Sequence, residues 1–329
     1  MATTVPQVVA PVQPQVLSRR NVYFKGWTPG RLLAFVFLCA ISILFLIPLF
    51  WMISTSLKES GDLVGIRWIP QRIAWENYRL AFSFGMWPRW AFNSIFITLV
   101  SVTGTVLSSS MVAYSFARLR WRGRDTLFSI VLATMMLPGV VTMIPQFVLF
   151  AKLPNPFFYA FLAGGNAPEW LANGLQITGL ASRNWVNTFL PLTVPAFTGG
   201  AFYIFMLRQF MRGIPMELSE AAKIDGASEL RTWWSIITPL TGPALATVAI
   251  FQFQGAWQDF MGPLLYLQSE PLYTLQLGLR QFEAAAGGQP AWNWLMAASL
   301  LVMLPVLVVF LSMQRHFVQG ISLSGMGGK

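Results

Sequence analysis

Six runs of apolar residues, each long enough to cross a lipid bilayer, occupy most of this 329-residue chain. They lie at about 32–57, 90–117, 126–150, 186–207, 239–267 and 292–314. A helical crossing of the hydrocarbon layer, roughly 30 Å deep, takes about 20 such residues. In lipid every backbone N–H and C=O has to bond within its own segment, and these runs are continuous rather than alternating. Helices are therefore expected, not barrel strands. The expected fold is an all-α membrane protein of six transmembrane helices over residues 32–317, with residues 1–31 a Pro-, Val- and Gln-rich disordered tail and residues 318–329 a second tail. With 55% hydrophobic and 10% charged residues, the composition agrees.

Several functions fall away at once. A single cysteine, Cys39, and a single histidine, His316, exclude disulfide frameworks, Cys/His zinc sites and histidine-based catalysis. A membrane-embedded enzyme would need a nucleophile and base, or a metal cluster, facing one cavity, and the sequence offers neither. The net charge of +10 is spread beside apolar runs, which fits membrane orientation and anionic lipid better than nucleic acid. The N-terminal residues lack the basic start, apolar core and cleavage site of a signal peptide, so the first run is expected to act as an uncleaved anchor.

Lys and Arg set the orientation. With both ends in the cytoplasm, the inner segments hold fourteen of the twenty-two basic residues, most densely in RLRWRGRD at 118–125. The outer segment 151–185 is long and rich in aromatic residues, Gly and Pro, and its middle reads either as a short interfacial helix or as a re-entrant segment.

Against this background the stretch ELSEAAKIDGASELRTWWSIITPL, residues 217–240, is unusually polar. Pro215 suits a first helical turn, and Glu217 and Glu220 complement the positive helix start. Lys223 suits the last turn, and Gly226 a left-handed stop. The expected helix has about three turns, with Leu218, Ala221, Ala222 and Asp225 on one side and Glu220 and Lys223 opposite. It is too short to span a bilayer. Such a helix is either an ordinary solvated loop helix or a contact for another chain.

The spacing of Glu220, Ala221, Ala222, Asp225, Gly226, Ala227, Ile237 and Pro239, between the fourth and fifth runs, resembles the EAA loop of ABC importer permeases. The segments FMRGIPMELSEAAKIDGAS, LTGPALATVAIFQFQGAWQDFMGPLLYL and QRHFVQGIS are similar to the smaller of the two permeases in maltose-type carbohydrate importers. The resemblance implies a cytoplasmic coupling helix, within a coupling loop at 208–238, that docks in a cleft of an ATPase. Glu220, Ala221, Ala222 and Gly226 would be the coupling residues, with Asp225, Arg212, Lys223 and Arg231 in support. It also implies a second permease, two ATPase subunits that bind ATP and Mg, and an extracytoplasmic solute-binding protein. The 151–185 segment is longer than the family pattern, and WQDF stands at 257–260 where WNEF is common. The chain has no phosphate-binding G-x-x-x-x-G-K-[ST] loop, so ATP has to be bound elsewhere.

A solute path through lipid is marked by expensive polar groups. The fifth run carries Gln252, Gln254, Gln258 and Asp259, with Trp257 nearby. Helical spacing puts Gln252, Gly255 and Asp259 on one face and Gln254 and Gln258 on another. One reading is a wall for sugar hydroxyls, since amides both donate and accept and an aromatic face covers apolar sugar patches. The other is hydrogen bonding between helices, and for Asp259 a gate or interhelical bond is favoured. The absence of several membrane acids or of membrane Arg and Lys favours a neutral sugar over a polyamine or a glycerol phosphate. Asn93, Thr98, Ser101, Thr105 and Ser108 to Ser110 are expected to serve helix packing. Pro138, Gly139, Pro191, Pro195, Gly199 and Gly200 are expected to allow bends.

Overall fold

A computed structural model describes residues 29–63, 67–156, 160, 168–177, 182–284 and 291–324. The chain forms two units, residues 1–50 and 51–329. Helix α1, Pro29–Ser56, supplies the described part of the first unit and ends in the second. The helices that follow are α2 Glu76–Ser83, α3 Trp87–Arg118, α4 Arg124–Thr134, α5 Gly139–Lys152, α6 Glu169–Ile177, α7 Leu190–Thr193 and α8 Ala201–Arg212. Then come α9 Glu217–Ile224, α10 Glu229–Thr232, α11 Thr238–Leu240, α12 Gly242–Trp257, α13 Met261–Tyr266, α14 Leu275–Leu279, α15 Gln281–Ala284 and α16 Trp292–Ser324.

Four stretches are long and apolar enough to cross a membrane: Pro29–Ser56, Trp87–Arg118, Leu190–Arg212 and Trp292–Ser312. Two more cross if each of two bent pairs is one span. The third expected run, 126–150, is one such pair: α4 and α5 meet at 99° around Met135–Pro138. Pro138 has no N–H to give and disfavours helical geometry in the residue before it, so the helix stops and restarts. The fifth expected run is also divided. A five-residue π-helical stretch, Trp233–Ile237, leads into α11, the axis bends by 83° before α12, and Gln258–Phe260 separate α12 from α13.

Helix α3 organises the second unit. Its polar stripe is turned inward, and several of its hydroxyls meet backbone groups of neighbouring segments that lack a helical partner. Pro191, Pro195, Gly199 and Gly200 break the fourth run into α7, a 3-10 turn at Val194–Thr198, and α8. Along that break Ser101 Oγ donates to Leu192 O at 2.9 Å, Ser108 Oγ donates to Ala196 O at 3.1 Å, and Ser109 Oγ accepts from Gly200 N at 3.2 Å. Asn93 Nδ2 donates to Pro271 O at 2.8 Å and Tyr273 O at 2.9 Å. Backbone freed by proline and glycine inside lipid has to find such partners, so the serines of α3 and the breaks of the fourth run are one design. The apolar core lies on both sides of this stripe. One cluster joins Trp87, Trp90, Trp257 and Phe282 to Ala297 and Ala298 of α16, and another joins Tyr114, Leu207, Met211, Trp233 and Val248. Fully buried Ala297 and Ala298 allow α16 to approach α12 closely.

Large apolar side chains also cover the outside. Met136, Val140, Val141 and Ile144 are all strongly exposed along one stretch of α4 and α5. A patch of this kind is out of place in water and in place in lipid. The 151–185 segment is pinched at its base, where Asn155 N donates to Arg183 O at 2.9 Å and Asn155 Nδ2 to Ser182 O at 2.7 Å. The short helix expected in its middle is α6; residues 157–159, 161–167 and 178–181 lie outside the described residues.

Candidate functional site

The polar stretch between α8 and α12 folds onto the end of α3. Arg118, the last residue of α3, is buried and faces the end of α8, where carbonyls have no partner within their own helix. Its Nη2 donates to Met211 O and Ile214 O, both at 2.7 Å, and its Nη1 to Pro215 O at 3.2 Å. One guanidinium therefore closes α8 and fixes the turn that launches α9.

Helix α9 is shorter than the three turns expected. It has eight residues, about 12 Å at 1.5 Å per residue, because Pro215 stays outside it and Arg118 occupies the carbonyl of that proline. Glu217 and Glu220 sit in its first turn and Lys223 in its last. Gly226 has φ +77°, a left-handed stop that L-residues adopt at a cost. Asp225 follows the last helical residue, with its amide bonded to Ala221 O.

The face expected to hold Leu218, Ala221, Ala222 and Asp225 is divided by the docking of α9 on its own chain. Ala222 points inward with Ser219, both nearly fully buried. Leu218 and Ala221 are exposed, together with Ile224 at 87% exposure. An isoleucine so exposed, one turn from exposed Ala221 and two from exposed Leu218, is covered by nothing among the described residues. Sequence reading passed over Ile224; the signal was its i, i+3 spacing from Ala221.

Lys223 was expected to support a contact with another chain. Here its Nζ is 2.6 Å from Glu229 Oε1, an ion pair across the Gly226 turn, and Glu229 Oε2 accepts from buried Tyr114 Oη at 2.7 Å. Ser228 caps α10 by accepting from Arg231 N at 3.3 Å. The side chains of Arg212, Glu220 and Arg231 remain exposed. Arg118 and Tyr114 are structural members of the site that local pattern did not reveal, because they are brought in from distant positions in the sequence; Glu229 lies in the stretch itself but acquires its role from Tyr114 and from Lys223 across the Gly226 turn.

The polar residues of α12 and of the turn that follows it separate into three environments. Gln252, Gly255 and Asp259 line one cavity of about 200 Å³ with Ser94, Ser101 and Thr274. The three hydroxyls are committed to backbone: Ser94 Oγ accepts from Leu275 N at 2.8 Å, Ser101 donates to Leu192 O, and Thr274 Oγ1 accepts from Leu277 N at 3.4 Å. Asp259 Oδ1 accepts from Gly262 N at 3.0 Å, which tethers it to the start of α13. A Cβ at Gly262 would lie 2.4 Å from Asp259 Oδ2 and 2.9 Å from Leu192 Cδ2, so any larger residue there would have to displace both side chains. The Gln252 amide has no hydrogen-bond partner among the described residues, so it is the group in this cavity still able both to donate and to accept. Gln258 opens on a different cleft, beside Gln276, Ser299 and Met303, and Gln254 is exposed. Trp257 faces inward: its Nε1 donates to Val302 O at 3.0 Å and its ring stacks on Phe253 at 5.7 Å. It packs α12 on α16 and presents no aromatic face to the Gln252 cavity.

No group of three or more His, Cys, Asp and Glu side chains is placed to hold a metal ion among the described residues. Residues 105–323, which contain the coupling segment and the cavity residues from Leu192 onward, match the family of binding-protein-dependent transport system inner membrane components. The chain belongs to this family. It is a transport permease subunit of an ABC importer and a multi-pass inner-membrane protein, without catalysis of its own.

Family members of known assignment align along nearly their whole length. The arabinooligosaccharides transport system permease protein AraQ of Halalkalibacterium halodurans is 31% identical over 301 residues, covering 90% of this chain and 95% of that protein. The galactooligosaccharides transport system permease protein GanQ of Bacillus subtilis is 30% identical over 300 residues, covering 90% and 95%. Among solved structures, a chain of a bacterial ABC transporter involved in the import of the acidic polysaccharide alginate superposes with a TM-score of 0.71 at 21% identity. The match covers 89% of this chain and 99% of that one, a likeness of fold.

Proposed function

We propose that this permease carries an uncharged sugar or oligosaccharide across the inner membrane, driven by α9 seated in a cleft of a partner ATPase. The observation that carries the reading is the outer face of α9. Leu218, Ala221 and Ile224 stand in water on a helix whose inner face, Ser219 and Ala222, is fastened to its own chain. An apolar strip on a short polar helix needs a partner, and Glu220, Arg212 and Arg231 around it supply a polar rim of the kind found at protein contacts.

In this reading the two bent pairs each count as one span, giving six in all, with both termini and α9 in the cytoplasm. Arg118 transmits displacement of α9 to α3 and α8, and through the hydroxyl contacts of α3 to the broken fourth span. A second permease completes the path, two ATPase subunits bind ATP and Mg, and an extracytoplasmic binding protein delivers the solute. Names given to the relatives above support a carbohydrate. The cavity supports an uncharged one, since Gln252 is its free polar group, Asp259 is its lone charged residue and no Arg or Lys lines it.

Affinity purification of the permease from its native membrane tests the reading. The ATPase subunits are expected to accompany the wild-type chain and to be lost when Glu220–Gly226 is deleted. An unchanged yield of ATPase with the deletion variant would refute the coupling role.

A further inference from the structure

A second concave surface lies beside the coupling segment. The end of α3, the start of α4 and the end of α8 enclose an open cleft of about 520 Å³ lined by Arg118, Arg120, Arg124, Arg208 and Arg212, with Asp125 as its one carboxylate. Arg124 already engages that carboxylate, Nε to Oδ1 at 3.0 Å. Five guanidinium groups thus line a cleft with one carboxylate of its own, and Glu217, outside it, offsets the charge of Arg118 alone. The side chains of Arg120 and Arg212 make no hydrogen bond or ion pair among the described residues. Arg208 is nearly buried with no carboxylate of its own: its Nε donates to Phe116 O at 3.3 Å and its guanidinium lies 3.9 Å from the centroid of the Phe128 ring. A cluster of like charges held this close on folded backbone invites an anion from outside.

The surroundings select the kind of anion. Directly after Arg124, helix α4 exposes Leu127 and Ile130 at i, i+3 spacing, and Trp121 stands half-exposed at the rim against Phe116. A charged cleft opening at once onto an apolar strip, with a tryptophan at the boundary, matches a phosphate group attached to acyl chains. It does not match a hydrated acidic protein surface. Forked guanidinium groups suit phosphate oxygens, and basic pockets at the inner membrane boundary hold anionic headgroups by this chemistry.

We infer that this cleft is a binding site for the phosphate headgroup of an anionic phospholipid. Arg118 links it to α9: the same guanidinium lines the cleft and holds Met211, Ile214 and Pro215. Lipid occupancy is therefore placed to steady the turn from which α9 starts.

Native mass spectrometry of the intact importer from nanodiscs containing phosphatidylcholine and phosphatidylglycerol tests the site. The wild type is expected to retain one more phosphatidylglycerol than the Arg120→Gln/Arg124→Gln variant, and excess inorganic phosphate is expected not to displace it. Equal retention by both proteins overturns the proposal. Displacement by inorganic phosphate overturns the lipid source in favour of a free anion. If the double variant does not assemble, a photoactivatable phosphatidylglycerol on the wild type is expected to label peptides spanning Trp121–Ile130, and labelling elsewhere only overturns it. Retained ATPase subunits are read in the same spectra, so loss of the coupling reading and loss of this one are distinguishable.

Discussion

Replacing Arg118 by methionine keeps a side chain of similar reach and removes the donors that close α8. Three carbonyl oxygens lose a partner: Met211 O, Ile214 O and Pro215 O. Met211 is fully buried, while Ile214 and Pro215 are partly or well exposed, so water replaces the guanidinium at the latter two. Met211 O keeps the longer bond from Ile214 N at 3.3 Å, so what is lost there is one buried hydrogen bond to a charged group, about 1.5–3 kcal/mol, and the two accessible carbonyls add little. A loss of about 2 kcal/mol raises the population of the opened turn by roughly 30-fold. Hydrogen exchange of the assembled importer reads this directly: the amides of Gly213, Ile214 and Met216 and of the start of α9 are expected to exchange faster by about that factor, with α12 unchanged. ATP hydrolysis is expected to lose its stimulation by loaded binding protein. Arg118→Lys keeps the charge but offers no fork, so it should fall between the two. Wild-type exchange at 213–216 in Arg118→Met would refute the claim that this guanidinium holds the coupling turn.

Gly226→Ala tests the stop of α9 free of steric interference, since a Cβ there meets nothing within 4 Å. The left-handed backbone alone should cost about 1–2 kcal/mol, read as a lower melting temperature of the detergent-solubilised protein. Lys223→Ala removes a half-exposed ion pair and should cost under about 1 kcal/mol. Glu229→Ala also removes the acceptor of buried Tyr114 and should cost more, on the order of 1–2 kcal/mol, in the same melting assay. Gln252→Leu removes the free amide from the 200 Å³ cavity and should lower solute uptake with the complex still assembled; normal transport kinetics would take Gln252 out of the path.

The sequence made the apolar runs legible because membrane crossing imposes a length and a composition that few other folds share. It made the stop at Gly226 and the first-turn acids of α9 legible because those signals are local. It also placed Gln252, Gly255 and Asp259 on one face through helical periodicity alone. Distant partners were not legible. Nothing near position 118 marks that arginine as the clamp on α8, since the evidence is three carbonyls more than ninety residues away. Trp257 beside two glutamines suggested an aromatic face for a sugar, yet the carbonyl at Val302 claims its indole. The division of α9 into an inner face at Ser219 and Ala222 and an outer face at Ala221 and Ile224 follows from how the turn at 213–216 is held. Periodicity gives the faces of a helix but not which of them the chain itself covers.

The most direct test of the account is site-specific cross-linking from Ile224. With Cys39→Ser as background, a cysteine at 224 in the intact importer should react with membrane-impermeant thiol reagents from the cytoplasmic side only. It should also form a bismaleimide adduct with an ATPase subunit in high yield, changing with nucleotide. Reaction from the outer side, or the absence of any adduct with the ATPase in an assembled complex, would contradict it.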